Sequence, residues 1–105
     1  MKQGDAKFSV GQVIRHNLFD YRGVIVDVDP MYQRDDACYE RMPRNRPPKD
    51  RPWYQVLVHD TDSEAYVAER NLCLDNSLKP VENAKMAVYF RDFSEGRYLP
   101  INRPH

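Results

Sequence analysis

The sequence predicts a mainly β domain: a small, partly open five-stranded barrel with a long Pro/Arg-rich loop and a short C-terminal helix. Three observations predict it. Short runs rich in β-branched and aromatic residues, Val13-Ile14, Val24 to Val28, Trp53 to Val58 and Ala65 to Ala68, are each bounded by turn chemistry. Between the second and third runs, Met31 to Pro52 offers no sustained apolar period and carries Pro43, Pro47, Pro48 and Pro52. Only after Lys79-Pro80 does apolar spacing approach that of a helix, at Met86, Tyr89, Phe90 and Phe93.

In chain order, a polar arm precedes a first strand near Val10 to His16 and a second near Tyr21 to Asp29. In the second strand Val24, Val26 and Val28 alternate with Ile25, Asp27 and Asp29, which predicts one apolar face toward the core and one face toward water that turns acidic at its end. Gly23, directly before that run, suits a positive φ, a bulge or a close backbone approach. Pro30 ends the strand because it has no N–H for a ladder. The loop that follows has room for one helical turn near Asp35 to Arg41. Trp53 to His59 reads as the third strand, with Tyr54, Val56 and Val58 on one face and Trp53, Gln55, Leu57 and His59 on the other. Asp60-Thr61-Asp62-Ser63 is turn chemistry, and Ala65 to Ala68 is the returning strand of a hairpin. Glu69 to Leu72 turns the chain into a short strand at Cys73-Leu74, a layout that suits an SH3-like small barrel. A helix from Met86 onward packs on that barrel, Gly96 stops it, and Tyr98 to Ile101 runs extended.

A chain of 105 residues is expected to form one domain, 1–105. Sixteen Lys and Arg balance sixteen Asp and Glu, so the net charge is zero. That excludes binding of nucleic acid or membrane through a bulk field, and leaves only a local patch. No apolar run approaches the roughly 20 residues of a spanning helix, and the first residues lack an apolar signal core, so a cytoplasmic protein without a membrane partner is expected. Cys38 and Cys73 are expected as free thiols.

Catalytic chemistry finds little support. His16, His59, Asp29 and Asp60 have ligand chemistry but no metal-ligand spacing, and neither cysteine sits in a nucleophile motif. The four glycines are too scattered to cradle a phosphate. The expectation is a non-enzymatic protein with no cofactor and no metal. Asp27 and Asp29 suit turn closure at the strand end. Two surfaces remain for partners. Arg41, Arg44, Arg46, Lys49 and Arg51, opposed only by Asp50, form a basic stretch followed at once by Trp53 and Tyr54. Arginine forks suit phosphates and carboxylates alike, and interleaved aromatics suit base stacking. The aromatic set Tyr89, Phe90, Phe93 and Tyr98 suits a barrel lid, and any exposed part of it would be a docking patch.

The chain also resembles a known family. Val10-Gly11-Gln12-Val13-Ile14-Arg15-His16, Tyr21-Arg22-Gly23-Val24-Ile25 and Asp29-Pro30 look like the hallmark of the heat-shock protein Q family, also called YccV-like or hemimethylated-DNA-binding. The likeness continues through Pro52 to Val58, Tyr66 to Leu72 and Tyr89-Phe90, with Phe93 and Gly96-Arg97-Tyr98 behind them. The resemblance implies a small, β-rich, cytoplasmic bacterial protein without enzymatic activity. It gives Gly11, Arg15, His16, Tyr21, Gly23, Asp29 and Pro30 structural places in the motif. It offers two jobs: adaptor or specificity factor for an ATP-dependent protease or its substrates, and recognition of hemimethylated DNA. DNA binding would rest on the basic loop, joined by Arg15 and Arg22. The zero net charge favours the adaptor, with DNA binding as the alternative; self-association is left open.

Overall fold

A computed structural model describes residues 6–43 and 46–101. Five strands, β1 (Val13–His16), β2 (Arg22–Asp29), β3 (Trp53–Val58), β4 (Glu64–Ala68) and β5 (Leu72–Leu74), form one antiparallel sheet in the order β4-β3-β2-β1-β5. The first four form a meander, and β5 returns to the far side of β1 through a 3-10 turn at Glu69–Asn71. The edge strands β4 and β5 do not pair, so the sheet is open rather than closed into a barrel. Helix α1 (Asp36–Glu40) lies in the long loop, as the sequence predicts, and α2 is a single turn at Met86–Tyr89. None of the described helices is long and apolar enough to cross a membrane.

The expectation of one core face and one wet face is corrected: both faces of the sheet are buried. Ile14, Ile25, Tyr54, Val56, Val67 and Leu72 form one cluster, and Val13, Val24, Val26, Leu57, Val81, Phe90 and Tyr98 form another. The two-residue alternation of β2 also breaks. Its register against β3 runs Ile25 opposite Val56 and then Asp27 opposite Gln55, so Val26 is an extra residue. A bulge puts two successive side chains on one side. Val28 is thereby transferred to the cluster around Ile25, away from Val24 and Val26.

The C-terminal helix is shorter than its spacing predicts. Phe90 leaves α2 with extended dihedrals, and Phe90–Ser94 (β6) pairs with Arg97–Pro100 (β7). Gly96 does not stop a helix. Glu95 (φ 52°) and Gly96 (φ 79°) form a two-residue hairpin turn with both φ positive, the geometry whose twist matches paired strands. Strand pairing satisfies the backbone groups that a longer helix would have satisfied internally. The hairpin is tied to the sheet at Gly11, whose carbonyl accepts from Tyr98 N–H at 2.8 Å. Gly11 has φ 93°, and a Cβ there would collide with the Tyr98 carbonyl oxygen, so glycine is required on both counts.

Candidate nucleic-acid interface

The loop between β2 and β3 is held down by four aromatic rings. Asp35 caps α1 by accepting the Ala37 N–H at 3.0 Å, and this turn carries Tyr39 back toward the sheet. Trp53 at the start of β3 stacks on Tyr66 of β4, centroids 5.4 Å apart, and Tyr32 packs at 4.9 Å from Trp53 and 5.1 Å from Tyr39. The polar tips are satisfied too. Tyr39 Oη donates to the Pro47 carbonyl at 2.6 Å, Trp53 Nε1 to the Pro48 carbonyl at 3.1 Å, and Tyr66 Oη to Asp29 Oδ2 at 2.6 Å. Burial and that last bond push the Tyr66 phenol up to about 12, so it remains a donor throughout the neutral range.

On this platform lie the cations. Arg34 Cζ sits 4.1 Å from the Tyr66 ring centroid, and its Nη2 donates to Gln55 Oε1 at 2.6 Å. Arg46 Cζ sits 4.9 Å from the Tyr39 centroid. Lys49 Nζ is 4.7 Å from the same ring and 2.7 Å from Asp36 Oδ1; the hydrogen bond to Asp36 raises its pKa. Cation–π contact of this kind orients a charge without neutralising it, whereas Lys49 is already countered by a carboxylate.

The structure thus brings together Arg46, Lys49 and the rings. It leaves Arg41 exposed at the end of α1 and Arg51 exposed, with Nη1 only 3.5 Å from its neighbour's carbonyl. Arg44 lies outside the described residues. Arg34, Tyr32, Tyr39 and Tyr66 were missed from sequence, because they join the basic stretch only through β3–β4 pairing and the folding back of α1. Across the Pro47-Pro48 rib from the rings, a cavity of roughly 270 Å³ opens between these prolines, Ala68 and Glu69, rimmed by Lys7, Arg51 and Arg70.

Arg15 and Arg22 are engaged elsewhere. Arg22 Nε lies 2.9 Å from Asp75 Oδ2, and Arg15 Nη2 lies 3.6 Å from Asp75 Oδ1, in an ion pair whose carboxylate is buried. The other proposed docking set is largely packed away: Phe90 and Tyr98 are buried, and Tyr89 and Phe93 are half-buried against the same cluster. Tyr98 Oη both accepts from Val81 N–H at 2.8 Å and donates to the Val81 carbonyl at 3.1 Å. These residues form a lid over one face of the sheet.

A family model described as hemimethylated DNA-binding protein YccV like matches residues 6–97. The chain belongs to the YccV-like family. The YccV-like match spans the whole five-stranded sheet, the aromatic platform and the C-terminal hairpin as far as the first residue of β7. The motif residues hold the sheet together. His16 Nδ1 accepts the N–H groups of Leu18 and Phe19, both at 3.1 Å, and its ring packs on Phe19 and Tyr21. Burial lowers its pKa. Gly23 is in none of the left-handed conformations its position allowed; it is a site of close approach, where a Cβ would stand 2.6 Å from the Leu57 carbonyl oxygen. Asp29 receives Tyr66, and Pro30 ends β2.

Proposed function

We propose that this protein is a non-catalytic cytoplasmic module that binds DNA by its phosphate backbone, on the face built by residues 31–52. One observation carries the reading. The Arg34 and Arg46 guanidiniums are laid over the Tyr66 and Tyr39 rings, and neither makes a salt bridge among the described residues. Oriented in this way, Arg46 keeps its fork of donors for phosphate, Arg34 keeps those not given to Gln55, and both lose less freedom on binding. Membership of a family named for hemimethylated DNA supports the same reading.

The zero net charge weighs against it less than the sequence suggests. Acidic Asp60, Asp62 and Glu82 gather around a shallow depression beyond the far end of β3 from the platform. Five residue steps along a strand amount to roughly 17 Å. That exceeds the Debye length of about 8 Å at physiological salt, so these three acids are screened from the loop, which keeps a local excess of two positive charges over its own Asp35, Asp36, Glu40 and Asp50. The test is a salt titration of duplex binding by fluorescence anisotropy. Three or four phosphates neutralised by Arg34, Arg46, Arg51 and their neighbours give a log–log slope of about −3 to −4, and Arg34→Ala with Arg46→Ala makes it shallower by about 2. A flat slope, or an unaltered one in the double variant, refutes the reading. Hemimethylated and unmethylated duplexes in the same titration report whether anything beyond the backbone is read.

The protease-adaptor reading draws on a different surface. Leu18 and Phe19, at the corner between β1 and β2, are 69% and 74% exposed. Two adjacent apolar side chains presented on a tight turn suit a weak, releasable protein contact. Recovery of an ATP-dependent protease from bacterial lysate by the wild type, lost in Leu18→Ser with Phe19→Ser but kept in the arginine double variant, would favour it over DNA binding.

A further inference from the structure

We infer that the cavity beside the Pro47-Pro48 rib is a base slot, which takes one unpaired, amino-bearing nucleobase of the DNA strand whose phosphates lie on the basic loop. This rests on the DNA-binding reading above and adds to it a recognition site for a single nucleotide.

The slot has the shape and chemistry for it. Its volume of roughly 270 Å³ falls just under the range of about 300–1,000 Å³ typical of small-molecule sites, which suits one base rather than a duplex. Pro47, Pro48 and Ala68 line it, residues whose side chains are apolar and suit the face of a base. The rib is fixed from behind: Tyr39 and Trp53 bind the Pro47 and Pro48 carbonyls, so the wall is part of the aromatic platform. Arg46 and Arg51 flank the rib in sequence, and a backbone that follows them passes the mouth of the slot. Arg51 and Lys7 at the rim supply positive charge for the nucleotide's own phosphate.

Glu69 gives the slot its selectivity. Its Oε2 is committed, accepting from Tyr54 Oη at 2.5 Å and from Lys7 N–H at 2.9 Å. Those two bonds hold the carboxylate in place, and among the described residues no partner is seen for Oε1. An acceptor at the wall of a slot pairs with the exocyclic amine of adenine, cytosine or guanine. It repels thymine, whose one ring donor is flanked by two carbonyl oxygens. A base reaches such a slot only when unstacked, so the slot favours single strands, mismatches and nicks over intact duplex.

The experiment is an amide chemical-shift titration of the full chain with dAMP, dCMP, dTMP and inorganic phosphate, alongside anisotropy with a single strand and its duplex at equal salt. The expected result is that dAMP and dCMP shift the amides of Ala68, Glu69 and Arg51 at millimolar concentration. Phosphate alone should shift Arg51 but not Ala68, and dTMP should bind several-fold more weakly. Arg51→Glu, at an exposed position, should abolish the nucleotide shifts without unfolding the chain. In Glu69→Gln the amide oxygen takes over the bonds from Tyr54 and Lys7, which turns the NH₂ toward the slot and should reverse the preference toward dTMP. Duplex binding that responds to Arg34 and Arg46 while no nucleotide shifts Ala68 overturns the slot and leaves backbone binding intact. Base-selective nucleotide binding without any affinity for DNA refutes the backbone reading and, with it, a slot that serves a DNA strand. Equal shifts from all three nucleotides and from phosphate overturn base selection.

Discussion

Asp75→Asn tests how the sheet is held at its β1 and β5 side. Asp75 follows β5, and its side chain is 1% exposed. Its Oδ2 accepts from Arg22 Nε at 2.9 Å and Ser77 Oγ at 2.6 Å, and its Oδ1 lies 3.6 Å from Arg15 Nη2. Arg22 reaches on to the carbonyls of Lys79 at 2.5 Å and Pro80 at 3.3 Å. One carboxylate thus joins β1, β2 and the segment that leads to Val81 in the core. The asparagine keeps the shape and removes the charge, leaving a guanidinium that is only 17% exposed without its counter-ion. Removing one partner of a buried pair costs about 3–5 kcal/mol. The two carbonyls that still accept from Arg22 place the effect at the lower end, about 3 kcal/mol. For a domain near this size that is a fall in Tm of about 12–24 °C, read by thermal and urea denaturation at pH 7.

The pH dependence supplies a second check on the same residue. Burial pushes the Asp75 carboxyl up, but the Ser77 hydroxyl and the Arg22 and Arg15 guanidiniums outweigh it and hold it below its usual value. A carboxyl depressed in the folded state contributes stability above its unfolded pKa and loses it as pH falls through the folded one. The wild type and Asp75→Asn should therefore differ fully above about pH 4 and converge below it. A destabilisation under about 1 kcal/mol at pH 7, or a difference that persists in acid, refutes the argument that this charge is structural.

Gly23→Ala should cost about 1–2 kcal/mol in urea melts, because the new methyl meets the Leu57 carbonyl oxygen and the Val56 side chain, offset in part by a stiffer unfolded chain. His16 is held neutral by burial and by two N–H groups aimed at Nδ1, so its folded pKa is depressed; stability should be full above its unfolded pKa of 6.5 and fall below it, at up to about 1.4 kcal/mol per pH unit, a slope absent in His16→Phe. Phe90→Ala should destabilise the chain by about 3–5 kcal/mol in the same melts, whereas a residue kept for docking would leave the melting curve unchanged.

The rest of the site's legibility follows from distance along the chain. The basic stretch was visible because its residues are neighbours in sequence, and α1 was visible as one helical turn near Asp35 to Arg41, though its cap, Asp35, was not. Lys7 and Glu69 were not visible as parts of a site: 62 positions separate them, and they meet only because β4 and its 3-10 turn bring Glu69 beside the N-terminal arm. Arg34 read as a loop charge until Tyr66 came up beneath it. In the other direction, Arg15 and Arg22 looked available for a partner, and a carboxylate more than fifty positions away had already claimed them.

By itself the sequence determined the five strands of the main sheet and two of their pairings, β1 with β2 and β3 with β4, since β-branched runs bounded by turn residues have few other ways to bury apolar surface. It also determined Gly11 and Gly23 as glycines of the motif, a helical turn near Asp35 to Arg41, and the family. Tertiary structure alone decided three things: that both faces of the sheet are buried, that the C-terminal segment completes a hairpin instead of a helix, and that the loop's cations rest on aromatic rings. Each turns on a partner remote in sequence. A residue's local pattern specifies which hydrogen bonds and apolar contacts it needs, but only the folded chain specifies which distant groups supply them.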